Sequence, residues 1–166
     1  DMLSVVIGKQ MESMLQLMQA TNTVIVPLKE KEDTRDMLDE FMEDAGPEEK
    51  TCEIAILGEP TAQAWAEVKV RSIVEKHHPG RADKDMSNQA AAGFGVESRI
   101  LESELEPKED LIQLAKQLSG ATGCSVEVAA SRAFIAGTKA ARALCCEYIS
   151  WVNVGLKSHV SDLKPR

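Results

Sequence analysis

Several things are scarce in this 166-residue chain, and each scarcity removes a class of protein. No long hydrophobic run exists: the longest stretch without a charge, Ser13 to Leu28, includes Ser, Gln, Thr, Asn and Pro and is too short and too polar to span a bilayer. Aromatic residues amount to 4% of the chain, three Phe, two Trp and one Tyr, too few for the stacking platform that several RNA-binding folds use. The four cysteines, Cys52, Cys124, Cys145 and Cys146, form no CxxC pair and no paired Cys/His spacing, so no zinc site is expected. They read as small, reduced packing residues, which implies an intracellular and cytoplasmic setting. His77 and His78 stand before Pro79-Gly80, where a polar helix end is expected rather than a metal site. No Ser, His and Asp set has the spacing of a nucleophile, so no enzyme, small-molecule substrate, metal or other cofactor is expected. The N-terminus lacks a signal pattern, and the first residue is Asp, which suggests a piece of a longer protein.

Positive charge is also short, with 19 Lys and Arg against 27 Asp and Glu, a net charge of -8. The deficit is local. Between Lys29 and Glu53 there are 11 acids and 4 bases, so this segment carries nearly all of the excess and the rest is close to neutral. Repulsion of nucleic acid by the whole surface is therefore not implied. Composition is otherwise that of a globular protein, 43% hydrophobic and 28% charged.

Periodicity supplies the elements. Met11, Met14, Leu15 and Met18 mark one side of a helix over about 9–20, opened by Gly8-Lys9, and Thr23-Val24-Ile25-Val26 is a β-branched strand stopped by Pro27. The acidic insertion, about 29–50, carries an apolar stripe of Met37, Leu38, Phe41 and Met42, a candidate protein interface. Cys52 to Leu57 reads as a strand stopped by Gly58, and Pro60 opens a helix to about Lys76 with Ala62, Trp65, Ala66, Val68, Ile73 and Val74 on its apolar side. A polar linker is expected over 81–95. Then come a strand at Ser98-Arg99-Ile100-Leu101, a helix through Leu111, Leu114, Ala115 and Leu118, strands at 124–128 and 133–136, and a helix from Thr138 to about Trp151. Trp65 and Trp151 are expected to pack on the sheets or between domains.

The second half thus repeats the order of the first. Thr21 and Gly58 are 37 positions apart and Thr122 and Gly137 are 15 apart, the difference of 22 being the insertion. Beyond each Gly, Ala66 matches Cys145 and Val70 matches Ile149. Two copies of one α+β unit are expected.

The run Val5-Val6-Ile7-Gly8-Lys9-Gln10-Met11, with Met14, Leu17 and Thr21 to Val26, resembles the core of a type I KH domain, whose pattern is I-I-G-x-x-G, a helix, T-G and a strand. Ile54 to Gly58, Ala66 and Val70 resemble its third strand and last helix. In the second copy Leu118, Thr122 to Val126, Phe134 to Gly137, Cys145 and Ile149 match the same pattern. The resemblance implies tandem KH-like domains, 1–80 and 96–166, each a three-stranded antiparallel sheet packed on helices, with a groove for about four unpaired nucleotides. It also implies that the first copy's opening strand is missing from this piece.

In that family the two loop glycines let the backbone approach a phosphate chain, and amides at the next helix's N-terminus face the phosphates. Here the first loop keeps Gly8 and supplies Lys9, but Met11 replaces the second glycine. The aligned residues of the second copy are Glu109-Asp110-Leu111-Ile112, with carboxylates where phosphate would lie. The first copy is therefore expected to contact single-stranded RNA weakly through Gly8, Lys9, Gln10, Met11 and Ile25, as part of an RNA-metabolism protein. The alternative is a protein-interaction or dimerisation scaffold of KH folds that have lost RNA binding, using Met37, Leu38, Phe41 and Met42. Gly8-Lys9 lacks the spacing of a nucleotide-binding loop, and Gly120-Ala121-Thr122-Gly123 follows its helix, where a C-cap is expected.

Overall fold

A computed structural model of the chain describes residues 6–8, 11–28, 53–82, 93–102 and 108–154. The insertion's Met37, Leu38, Phe41 and Met42 lie outside these residues. The described chain is α+β, with four helices and two antiparallel sheets.

In the first half, helix α1 (Glu12–Thr21) turns Met14 and Leu17 inward, and it ends at Asn22, whose left-handed backbone directs its N–H to the Met18 carbonyl. Strand β1 (Val24–Pro27) pairs antiparallel with β2 (Ile54–Leu57), placing Ile25 opposite Ile56 on the core side. Helix α2 (Pro60–His77) starts on Pro60, whose fixed φ suits a first helical position that needs no N–H partner. In the second half β3 (Phe94–Ile100), α3 (Lys108–Thr122), β4 (Ser125–Ala129), β5 (Arg132–Thr138) and α4 (Lys139–Asn153) follow in the expected order. Their sheet is ordered β3-β5-β4, and α4 is capped by Thr138, whose Oγ1 accepts from the Ala141 N–H at 3.3 Å.

Local devices recur at corresponding places. Thr21 and Thr122 each donate a hydroxyl one helical turn back, to the carbonyls of Leu17 (2.7 Å) and Leu118 (2.6 Å). On the edge strands, the Ile25 N–H is taken by Met18 Sδ (3.1 Å) and the Val126 N–H by Ser119 Oγ (3.2 Å). A Cβ on Gly58 would sit 3.1 Å from Thr23 Cγ2, and one on Gly137 would sit 2.8 Å from Cys124 Sγ. Glycine holds both places because the preceding strand passes close by.

Some details go beyond what periodicity shows. Among the described residues the first sheet has two strands, β1 and β2. Ala82 is buried, and β3 begins at Phe94, ahead of the strand expected from Ser98. Gly93 and Gly95 flank Phe94 and hide the alternation that marks a strand. Trp65 does not pack inward and is 46% exposed, whereas Trp151 packs against the second core beside Tyr148, ring centroids 5.1 Å apart.

Helix α2 belongs to both halves. One side sends Ala66 and Val70 into the first core with Met14, Leu17 and Ile25. The other lays Ala64 and Val68 on the outer face of the second sheet, against Ala129, Phe134 and Ala136, and Val74 touches both clusters. The second sheet is therefore sandwiched, with α3 and α4 on its other face. Polar ties close the contact. Lys69 Nζ meets Glu127 Oε1 at 2.7 Å, and the Glu75 carboxylate, 1% exposed, accepts the Gly80 N–H at 2.9 and 3.0 Å with Arg132 Nε at 3.5 Å.

Breaking a buried charge pair leaves an uncompensated partner, so Glu75→Ala should lower stability by about 3 kcal/mol in urea denaturation. Lys69→Ala, which removes a half-exposed ion pair, should cost less than about 1 kcal/mol. Equal effects would contradict the role given to Glu75.

Candidate nucleic-acid interface

The loop before α1 is built on a buried anchor and two left-handed residues. Val6, 1% exposed, is helical with Ile7 and fixes the approach. Gly8 follows at φ +69°, and a Cβ there would lie 2.7 Å from Ser13 Cβ. Met11, the residue before α1, is also left-handed, at φ 62° and ψ 11°. A side chain with a Cβ is strained in this region, by roughly 1–2 kcal/mol. The loop thus bends at both positions where the KH pattern has glycine, although Met11 lacks glycine's freedom. Lys9 and Gln10, between these bends, lie outside the described residues.

Among the described residues no side chain caps the N-terminus of α1, whose N-cap residue is Met11. Its first amides lack that partner, which favours an anion, while Glu12 in the first turn opposes one. Beyond the loop, Met11 before α1 and Leu15 on it are 46% and 49% exposed, and Met18 lies half-buried against the β1 edge that, among the described residues, pairs with no other strand. A thioether is a weak acceptor, so its hold on the Ile25 N–H can be exchanged for a stronger one. Ile25 itself is 3% exposed in the first core. Its backbone edge can face a ligand; its side chain supports from behind.

The second half differs at the aligned place. Residues 109–112 are the early part of α3, in one helix from Lys108, and not a loop between helices. Acidic residues in a first turn suit the helix macrodipole, and no glycine interrupts the run. Gly120 to Gly123 ends α3 and leads into β4, as expected of a C-cap.

Among the described residues Cys124, Cys145 and Cys146 are free thiols, and Cys52 lies outside them. Cys124 and Cys145 are buried, and a hydrogen bond with Cys124 together with burial pushes the Cys145 thiol up from its ordinary value. Cys146 is half-buried, its sulfur 3.2 Å from Arg99 Nε. No group of three metal-ligating side chains occurs among the described residues, and no helix there is long and apolar enough to cross a membrane.

No protein-family model matches the chain, and no curated protein does. Among solved structures it is similar to Dim2p from Pyrococcus horikoshii, with 18% identity, a TM-score of 0.42, and 92% of this chain and 85% of that one covered. It is similar to a protein of unknown function from Aeropyrum pernix at 14% identity and TM-score 0.42, covering 98% and 85%. A third likeness is to an a/eIF2alpha–aDim2p–rRNA complex from Pyrococcus horikoshii, at 16% identity and TM-score 0.39, covering 98% and 90%. At these values the likeness is too distant to carry a function across.

Met11→Gly should relieve the left-handed strain and raise stability by about 1 kcal/mol, whereas Gly8→Ala should lower it by about 2 kcal/mol. Urea midpoints read both. A midpoint lowered by Met11→Gly would contradict a left-handed residue 11.

Proposed function

We propose that the chain is a non-enzymatic module of tandem KH-like domains that contacts single-stranded RNA weakly, through its first half alone. The single observation that carries this reading is the pair of left-handed residues, Gly8 and Met11, bending the chain in front of α1, whose N-cap Met11 makes no side-chain cap. Such a bend brings backbone amides up to a phosphate chain, and the sequence places Lys9 between the bends to neutralise it. Bases continuing from there would lie along Met11, Leu15 and Met18 and reach the edge of β1 that carries the Ile25 N–H. Methionine stacks less firmly than an aromatic ring, and Glu12 opposes the phosphate, so both features support weak binding.

The second half takes no part in this reading. Its aligned residues continue a helix, where no bend brings amides toward a phosphate.

The test is fluorescence anisotropy of a labelled random single-stranded RNA titrated with the chain. Micromolar binding is expected at low salt, weakening as salt rises. Lys9→Glu should weaken it by about tenfold or more, because a phosphate contact becomes a repulsion. Glu109→Lys, in the second half, should change it little. Absence of binding at low salt, or binding indifferent to Lys9→Glu, overturns the reading.

A further inference from the structure

The outer faces of the two sheets have different neighbours. In the second half, Ala129, Phe134 and Ala136 point outward and are covered by α2. Counting from the matched residues Thr21 and Thr122 and from Gly58 and Gly137, the same places in the first half hold Leu28, Ala55 and Leu57. Val24 and Val26 stand where the second half has Ser125 and Glu127. The sheet ladders agree, Val24 facing Leu57 as Ser125 faces Ala136. At these matched positions the first sheet's outer face is the more apolar, yet Val24, Val26, Leu28 and Leu57 are 55%, 40%, 43% and 56% exposed. A continuous apolar strip that no described helix covers, at a place where its counterpart lies under one, marks an interaction surface.

We propose that this face docks an amphipathic helix of a partner protein, carrying small apolar residues four positions apart and a basic residue eleven positions after the first. The covered sheet supplies the pattern. There α2 lays Ala64 and Val68 on the strands and brings Glu75 to Arg132. In the first sheet the place of Arg132 is held by Glu53, an exposed carboxylate beside Leu28, whose N–H bonds to the Glu53 carbonyl at 2.9 Å. A helix seated as α2 is seated must therefore present Lys or Arg where α2 has Glu75. A second copy of this chain fits poorly. Its matching helix is α4, with Ala143, Glu147 and Val154 at the three places, which would push the Glu147 carboxylate into the strip and leave Glu53 unmatched.

The probe is a synthetic peptide with the sequence of residues 60–77 carrying Glu75→Lys, titrated into the whole chain and followed by the methyl resonances of Val24, Val26 and Leu57. Saturable shifts at these methyls are expected. Leu57→Asp should weaken binding at least tenfold, and Glu53→Lys should weaken the substituted peptide while strengthening the unsubstituted one. Both changes are at exposed positions, and Glu53→Lys alone keeps the test decisive should Leu57→Asp disturb the fold. Binding that shifts other methyls instead, no binding, or a charge reversal that fails to exchange the two peptides overturns the proposal. So does self-association of the chain that Leu57→Asp abolishes, since a second copy would then be the occupant.

Discussion

Burial of α2 on two sides holds the described structure together. Ala66 and Val68 are both 0% exposed, although one faces the first core and the other the second sheet. Alanines at 64 and 66 keep the helix slim enough to lie close to both, and Glu75 ties its end to β5 through Arg132. Removing water from both sides gives the helix a hydrophobic gain that neither half supplies alone. The two halves are thereby fixed against each other, and the direction of the loop at Gly8 is set relative to α3.

On this shared frame the halves match in some details and differ in others. Corresponding threonines brace α1 and α3, corresponding side chains occupy the edge amides of β1 and β4, and corresponding glycines admit the neighbouring strand. These devices preserve packing. The loop differs: Gly8 and Met11 bend ahead of α1, whereas 109–112 are helical. The outer faces diverge too, one sheet lying under α2 and the other presenting valine and leucine to solvent.

Much of the fold was legible because its signals are local. Pro60 marked the start of α2, the β-branched run marked β1, and the matched threonine and glycine positions set the order of elements in both halves. The double role of α2 was hidden, since apolar residues on two sides of a helix blur the single stripe that periodicity detects. The same blur concealed why Trp65 is exposed: the inner directions are filled by Ala64, Ala66 and Val68. At the candidate site, Gly8 announced its bend. Met11 did not, because no composition rule assigns a left-handed backbone to methionine, and its place in the loop came from the family pattern. Ile25 was expected to touch a ligand, but its position in the strand alternation turns the side chain to the core. The stripe of Met37, Leu38, Phe41 and Met42 was readable as amphipathic, and its packing lies outside the described residues.

Native-state hydrogen exchange in increasing urea tests the central claim most directly. The amides of Leu17 in α1 and Leu118 in α3 sit in different cores that α2 bridges. If that helix makes the halves one cooperative unit, both amides exchange through one opening reaction, with the same free energy and the same urea dependence. A Leu17 amide that exchanges through a smaller opening while Leu118 stays protected would contradict it.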